Sequence, residues 1–186
     1  MKKYLTLVSH AVVVAIAAAG LALVATAWAA DETSPSPGMG TGKSNLSAAD
    51  KRFIKKAYKG GMEEVANAKM AKEKAQNDAT KEVADHMITD HTKANERLME
   101  IAKEENFDLS GVEAKPADMS GDNFDKAYLM MLKKDHEKNI AMFEKEANDT
   151  GAKEDNDVIK FAKETLPTLK EHLQMVEDAL KKIENK

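Results

Sequence analysis

Four stretches of the chain space their apolar residues alternately three and four apart, a recurrence that only an α-helix with one buried stripe satisfies. The first stripe is Ile54, Ala57, Gly61, Glu64, Ala68, Ala71 and Ala75, and the second is Ala84, Met87, His91, Ala94, Leu98 and Ile101. The third runs Leu129, Leu132, His136, Ile140, Phe143, Ala147, and the fourth Val158, Ala162, Thr165, Leu169, His172, Val176, Leu180. Each stripe is interrupted by a single titratable residue. Ala, Lys, Glu, Asp, Leu and Met dominate the composition while Gly and Pro are scarce, which favours helices throughout. The fold class is therefore all-α.

End signals set the boundaries. The first helix starts at Ser47, whose hydroxyl caps while Asp50 reaches back, and runs to about Gln76. The second begins at the Asn77-Asp78 cap and reaches about Glu105. The third follows Gly121-Asp122 and ends near Asn148, and the fourth spans about Glu154 to Ile183. Pro167 is expected to kink the fourth helix near Glu164, because it offers no donor to the Lys163 carbonyl. Short links make the first and second helices one antiparallel hairpin and the third and fourth another. The link from Asn106 to Gly121 is long enough, at about 3.3 Å per residue, to travel the length of a helix of roughly 42 Å. Two hairpins joined by one long crossover between helices 2 and 3 give a ferritin-like antiparallel four-helix bundle.

The bundle is expected over residues 47–184, preceded by a signal peptide at 1–29 and a flexible linker at 30–46. Lys2 and Lys3 precede an apolar run from about Ala11 to Ala27, and Ala27-Trp28-Ala29 has the small-x-small pattern of a cleavage site. An uncleaved anchor is the alternative, since the run approaches the roughly 17–25 residues of a membrane span. No cysteine is present for lipid attachment, disulfides, thiolate metal sites or thiol catalysis. Export implies a periplasmic or secreted protein with no integral membrane span in its mature part. Losing residues 1–29 removes two lysines and no acids, moving the formal charge from −4 to −6. Such an acidic surface excludes nucleic acid as a partner. The linker segment Pro37-Gly38-Met39-Gly40-Thr41-Gly42-Lys43-Ser44 imitates a phosphate loop, but Pro37 replaces its first glycine and no strand precedes it, so no nucleotide is expected. A protein partner or homo-oligomer is left open.

The chemistry on offer lies in the interrupted stripes. His91 and His136 stand near the midpoints of their helices, and Glu64 and His172 about three residues past theirs, an axial offset of roughly 4 Å. All four are expected in one central layer. Asp90 and Asp135 precede two of the histidines, with Asn95 and Asn139 about a turn beyond, so helices 2 and 3 resemble a short internal duplication. Imidazole and carboxylate ligate Fe, Zn, Cu or Mn, and a bundle centre is where helical proteins assemble such sites. On this reading His91, His136, His172, Glu64 and either Asp90 or Asp135 hold a transition metal, the other aspartate orienting a ligand. The competing reading is a buried polar layer that fixes helix register in a non-catalytic envelope stress or interaction protein. The residues three before His86, His91, His136 and His172 are Val83, Ile88, Lys133 and Leu169, so the Glu-x-x-His motif of di-iron carboxylate sites is missing. His86 with Asp90 reads as a surface pair, and Met87, Met130, Met131, Met142 and Met175 as core filler rather than Cu(I) ligands.

Asp50-Lys51-Arg52-Phe53, Glu63-Glu64, Asp90-His91, Phe124-Asp125-Lys126-Ala127-Tyr128, Asp135-His136 and Leu166-Pro167-Thr168-Leu169-Lys170-Glu171-His172-Leu173 together resemble a family of exported bacterial proteins. That family is catalogued as domain of unknown function 4142, is often labelled predicted outer-membrane protein, and falls in the ferritin-like group. The resemblance implies a ferritin-like fold, an envelope location and no established activity. It maps the family's polar positions onto Glu64, Asp90, His91, Asp135, His136, Glu164 and His172.

Overall fold

A computed structural model of the chain describes residues 44–119, 123–151 and 156–184. The expected signal peptide and most of the expected linker lie outside the described residues. Four helices fill these residues: α1 (Ala48–Lys74), α2 (Asp78–Glu104), α3 (Phe124–Ala147) and α4 (Asp157–Glu184). Side chains explain where they begin. Ser47 Oγ accepts from the Asp50 amide at 3.0 Å while Asp50 Oδ2 accepts from the Ser47 amide at 2.8 Å, a reciprocal capping box. Asn77 caps α2. Asn123 caps α3, which follows Gly121-Asp122 as expected, and Asn156 accepts from the amides of Val158 and Ile159 to start α4 three residues later than expected. The fourth helix continues through Pro167, which is exposed, as is Lys163, so water can satisfy the carbonyl the proline leaves without a donor.

Contacts at the helix ends fix the topology. Asp125, at the start of α3, accepts from the Gln76 and Asn77 amides in the α1–α2 turn, and Lys126 pairs with Glu184 at the end of α4. At the other end Asn45 donates to Glu105, and Asn156 Nδ2 donates to Asp50. The starts of α1 and α4 therefore share one end of the bundle with the finishes of α2 and α3. The helices pack as α1 on α2, α2 on α4, α4 on α3 and α3 on α1, with every neighbouring pair antiparallel. After α2 the described residues 105–119 run beside α1, where the Lys115 and Ala117 amides donate to Glu63 and Asn67. The architecture is an all-α four-helix bundle with one long crossover, compatible with a ferritin-like arrangement. Among the described residues no helix is long and apolar enough to cross a membrane.

The core is divided. One apolar cluster holds Phe53, Ile54, Leu98, Ile101, Phe143 and Phe161, with Phe53 and Phe143 edge to face at 4.9 Å. The other holds Met87, Tyr128, Leu129, Leu132 and Val176. Burial of each large side chain contributes about 1.5–3 kcal/mol. Along every helix, the interrupting polar residue falls between members of the two clusters, so the polar layer is sandwiched by apolar packing on both sides. Met87 is fully buried, and Met131, Met142 and Met175 pack against the clusters as filler. Met130 departs from that expectation and is exposed.

Candidate metal centre in the bundle core

Helical periodicity delivers four side chains to one level, one from each helix. Glu64, His91, His136 and His172 are all at least nine-tenths buried. A nitrogen from each histidine lies within 4.8 Å of the other two. His91 Nε2 is 2.6 Å from Glu64 Oε2, yet neither atom makes an aligned hydrogen bond. The same carboxylate oxygen is 3.8 Å from His136 Nε2. The other oxygen, Oε1, accepts from Asn139 Nδ2 at 3.0 Å, which holds the carboxylate plane.

Hydrogen bonds around the layer set the ring tautomers. His136 Nδ1 donates to the Leu132 carbonyl at 3.0 Å, leaving the lone pair on Nε2. His172 Nε2 donates to Asp90 Oδ2 at 3.0 Å, leaving the lone pair on Nδ1. These two lone-pair atoms, His136 Nε2 and His172 Nδ1, face one another at 3.3 Å. Burial pushes His172 down to about 4; its bond to Asp90 opposes that shift, while His91 and His136 deepen it. Burial lowers His136 as well, against the pull of Glu64. For Glu64, burial acts to raise the carboxyl, but attraction to His91 first and then to His136 and His172 leaves it below the ordinary glutamate value. The layer therefore combines an anionic carboxylate with neutral imidazoles at His136 and His172, the ionisation states that metal ligands require.

The distances approach those of ligands sharing a single ion. Two ligand atoms each about 2.05 Å from a metal and 90–110° apart are separated by about 2.9–3.4 Å. The His136–His172 separation of 3.3 Å falls inside that range. The 2.6 Å Glu64–His91 contact must open by a few tenths of an ångström. At the same angles the widest histidine pair, within 4.8 Å, must close by up to about 1.4 Å to share that ion.

The expected site residues do not all converge. Asp90 reaches the layer, but it serves His172 across the helix interface and not its chain neighbour His91. Asp135 is half-exposed and pairs with Lys138 at 3.4 Å, reaching His136 only through its charge. Glu164 is exposed on α4, eight residues and so about 12 Å along the axis from His172, outside the cluster. His86 is exposed, as a surface residue should be. Sequence reasoning missed the part played by Asn139 in holding Glu64. It also missed Tyr128, whose fully buried hydroxyl has no hydrogen-bond partner and is pushed up by burial and then by the Glu64 charge. The signals for Tyr128 were its place one residue before the third stripe and its presence in the Phe124-Asp125-Lys126-Ala127-Tyr128 motif.

Fold and site together define a class: an all-α four-helix bundle whose core carries a buried histidine trio and a carboxylate, one group per helix. The chain belongs to the family described as Domain of unknown function (DUF4142), which it matches over residues 35–179. No curated protein and no solved structure matches it.

Proposed function

We propose that this protein is a metal-binding bundle of the bacterial envelope, holding one first-row transition ion between His91, His136, His172 and Glu64. The observation that carries the reading is the pair of lone-pair nitrogens, His136 Nε2 and His172 Nδ1, facing at 3.3 Å inside a buried layer. Two buried acceptors in that relation repel, and leaving such groups unsatisfied costs about 1–3 kcal/mol each. A proton relieves one pair of atoms at a time, whereas a metal ion satisfies all four ligand atoms together. Three imidazoles and one carboxylate, with no thiolate, suit Fe, Zn, Cu or Mn. Asp90 orients His172, and Asn139 orients Glu64, as partners behind the ligands.

Elemental mass spectrometry on untagged protein purified without chelator, and again after reconstitution with each of the four metals, tests the proposal. The expected result is one ion per chain, lost in His91→Ala/His136→Ala. No bound metal under any of these conditions would overturn it and leave the layer as a register device in an interaction protein. Which ion is retained then decides between a redox role, which needs Fe, Cu or Mn, and simple metal binding.

A further inference from the structure

Two of the three histidines have a protein partner for the ring nitrogen that is not offered to the centre. His136 Nδ1 donates to the Leu132 carbonyl and His172 Nε2 to Asp90. His91 presents Nε2 to Glu64 Oε2 at 2.6 Å, so as a metal ligand it gives that lone pair to the ion and carries its proton on Nδ1. Among the described residues nothing accepts from His91 Nδ1. A ligating histidine donates its other N–H to a carboxylate, a carbonyl or a water, and that bond fixes the ring. Asn95 has the matching shortage. It is 7% exposed, stands one turn beyond His91 on the same face of α2, and has an Oδ1 without a donor.

The two residues share the wall of a cavity of about 20 Å³, room for one water, which needs at least about 10–15 Å³ and polar partners. Asn139 and Thr165 add polar groups to the lining, and Phe143 and Phe161 apolar ones. Gly61, Asn95 and Asn139 each lie about one helical turn from the ligand of their own helix, which puts the cavity off the ligand layer and behind His91. A Cβ at Gly61 would lie 2.3 Å from Asn95 Oδ1, so the glycine in this mid-helix position of α1 lets the amide stand where it does. We infer that Asn95 is a positioning residue for His91, acting through one water in this cavity that accepts the His91 Nδ1 proton and donates to Asn95 Oδ1. The donor without an acceptor and the acceptor without a donor are thereby satisfied together. The two asparagines that follow the Asp-His pairs then do parallel work: Asn139 holds Glu64 directly, and Asn95 holds His91 through the water.

This inference rests on the metal reading above, and the test separates the two. Affinity is measured by competition with a chromogenic chelator for whichever of Fe, Zn, Cu or Mn the wild type retains. Asn95→Leu, which keeps the volume and removes the oxygen, should weaken metal binding about 10–100-fold. Asn95→Asp, which keeps an oxygen in the same place, should bind as the wild type does. Gly61→Ala, whose Cβ displaces that oxygen, should repeat the loss and serves if Asn95→Leu does not fold. A crystal structure of the metal-loaded wild type should place a water within hydrogen-bond distance of both His91 Nδ1 and Asn95 Oδ1. Wild-type affinity in folded Asn95→Leu or Gly61→Ala, a loss that Asn95→Asp shares, or a dry cavity in the loaded protein would overturn the positioning role while leaving the metal site intact. Failure of the wild type to load any of the four metals would overturn the metal reading, and this inference with it.

Discussion

Asp90→Asn isolates the orienting role of one carboxylate from the ligands themselves. The carboxylate accepts the His172 Nε2 proton at 3.0 Å and so keeps the Nδ1 lone pair turned into the layer. An asparagine retains the shape and can still accept that proton, but without charge. Replacing such a partner typically weakens metal affinity 10–100-fold, about 1.4–2.7 kcal/mol. With metal at about 100 times the wild-type Kd, the ion stabilises the native state by about 2.7 kcal/mol, and a 10–100-fold loss leaves about 1.4–0.4 kcal/mol. At roughly 3–5 °C per kcal/mol for a domain of this size, the metal-dependent gain in Tm should fall from about 8–13 °C to about 1–7 °C. Differential scanning calorimetry with and without metal measures it. Asp135→Asn is the control: that carboxylate pairs with Lys138, and its removal should leave the gain unchanged. A full metal-dependent gain in Asp90→Asn, or an equal loss in Asp135→Asn, would refute the assignment.

Two further predictions concern the ends of the bundle. Glu146 is raised to about 7, by burial first and then by its hydrogen bond with Asp50 and the Asp50 charge. Because its folded value lies above the unfolded one, its stabilising contribution is complete below about 4.5 and is lost as pH rises to about 7. His136 and His172, both lowered, act in the opposite sense, so the diagnostic is the difference in Tm between wild type and Glu146→Gln in chelator; wild type should lose ground relative to the variant from pH 5 to pH 7.5, and a constant difference would contradict the assignment. Asp125 ties the start of α3 to the Gln76 and Asn77 amides at 3.0 and 2.9 Å. Its replacement by alanine should cost on the order of 1–2 kcal/mol in urea unfolding, and a change near zero would show that solvent replaces both bonds.

Much of the fold could be read from spacing because helix stripes and caps are local properties. Ser47-Asp50 and Asn77 form the expected caps, and the polar interruptions at Glu64, His91, His136 and His172 all point inward, as their register demands. What escaped was the flank of each stripe. Consecutive residues on a helix point about 100° apart, so an aspartate beside a core histidine sits at the edge of the interface. Whether it then meets a partner depends on the neighbouring helix. Asp90 hydrogen-bonds His172 while Asp135 pairs with Lys138, although both occur in the same dipeptide. The same limit hid the contacts of Asn95 and Asn139, and the buried Asp50–Glu146 contact, which joins the start of α1 to the end of α3. Glu164 came from family position alone, and it lies exposed on α4 outside the cluster.

One group per helix has a consequence for the order of assembly. The α1–α2 hairpin carries Glu64 and His91, the α3–α4 hairpin His136 and His172, and neither half holds more than two of the four. Contacts inside each hairpin are short in sequence and form early, whereas docking the halves must close the loop through the crossover. The complete ligand set exists only after that docking. An ion bound there acts as a latch on the finished molecule: it leaves the rate of folding nearly untouched and slows the separation of the two hairpins.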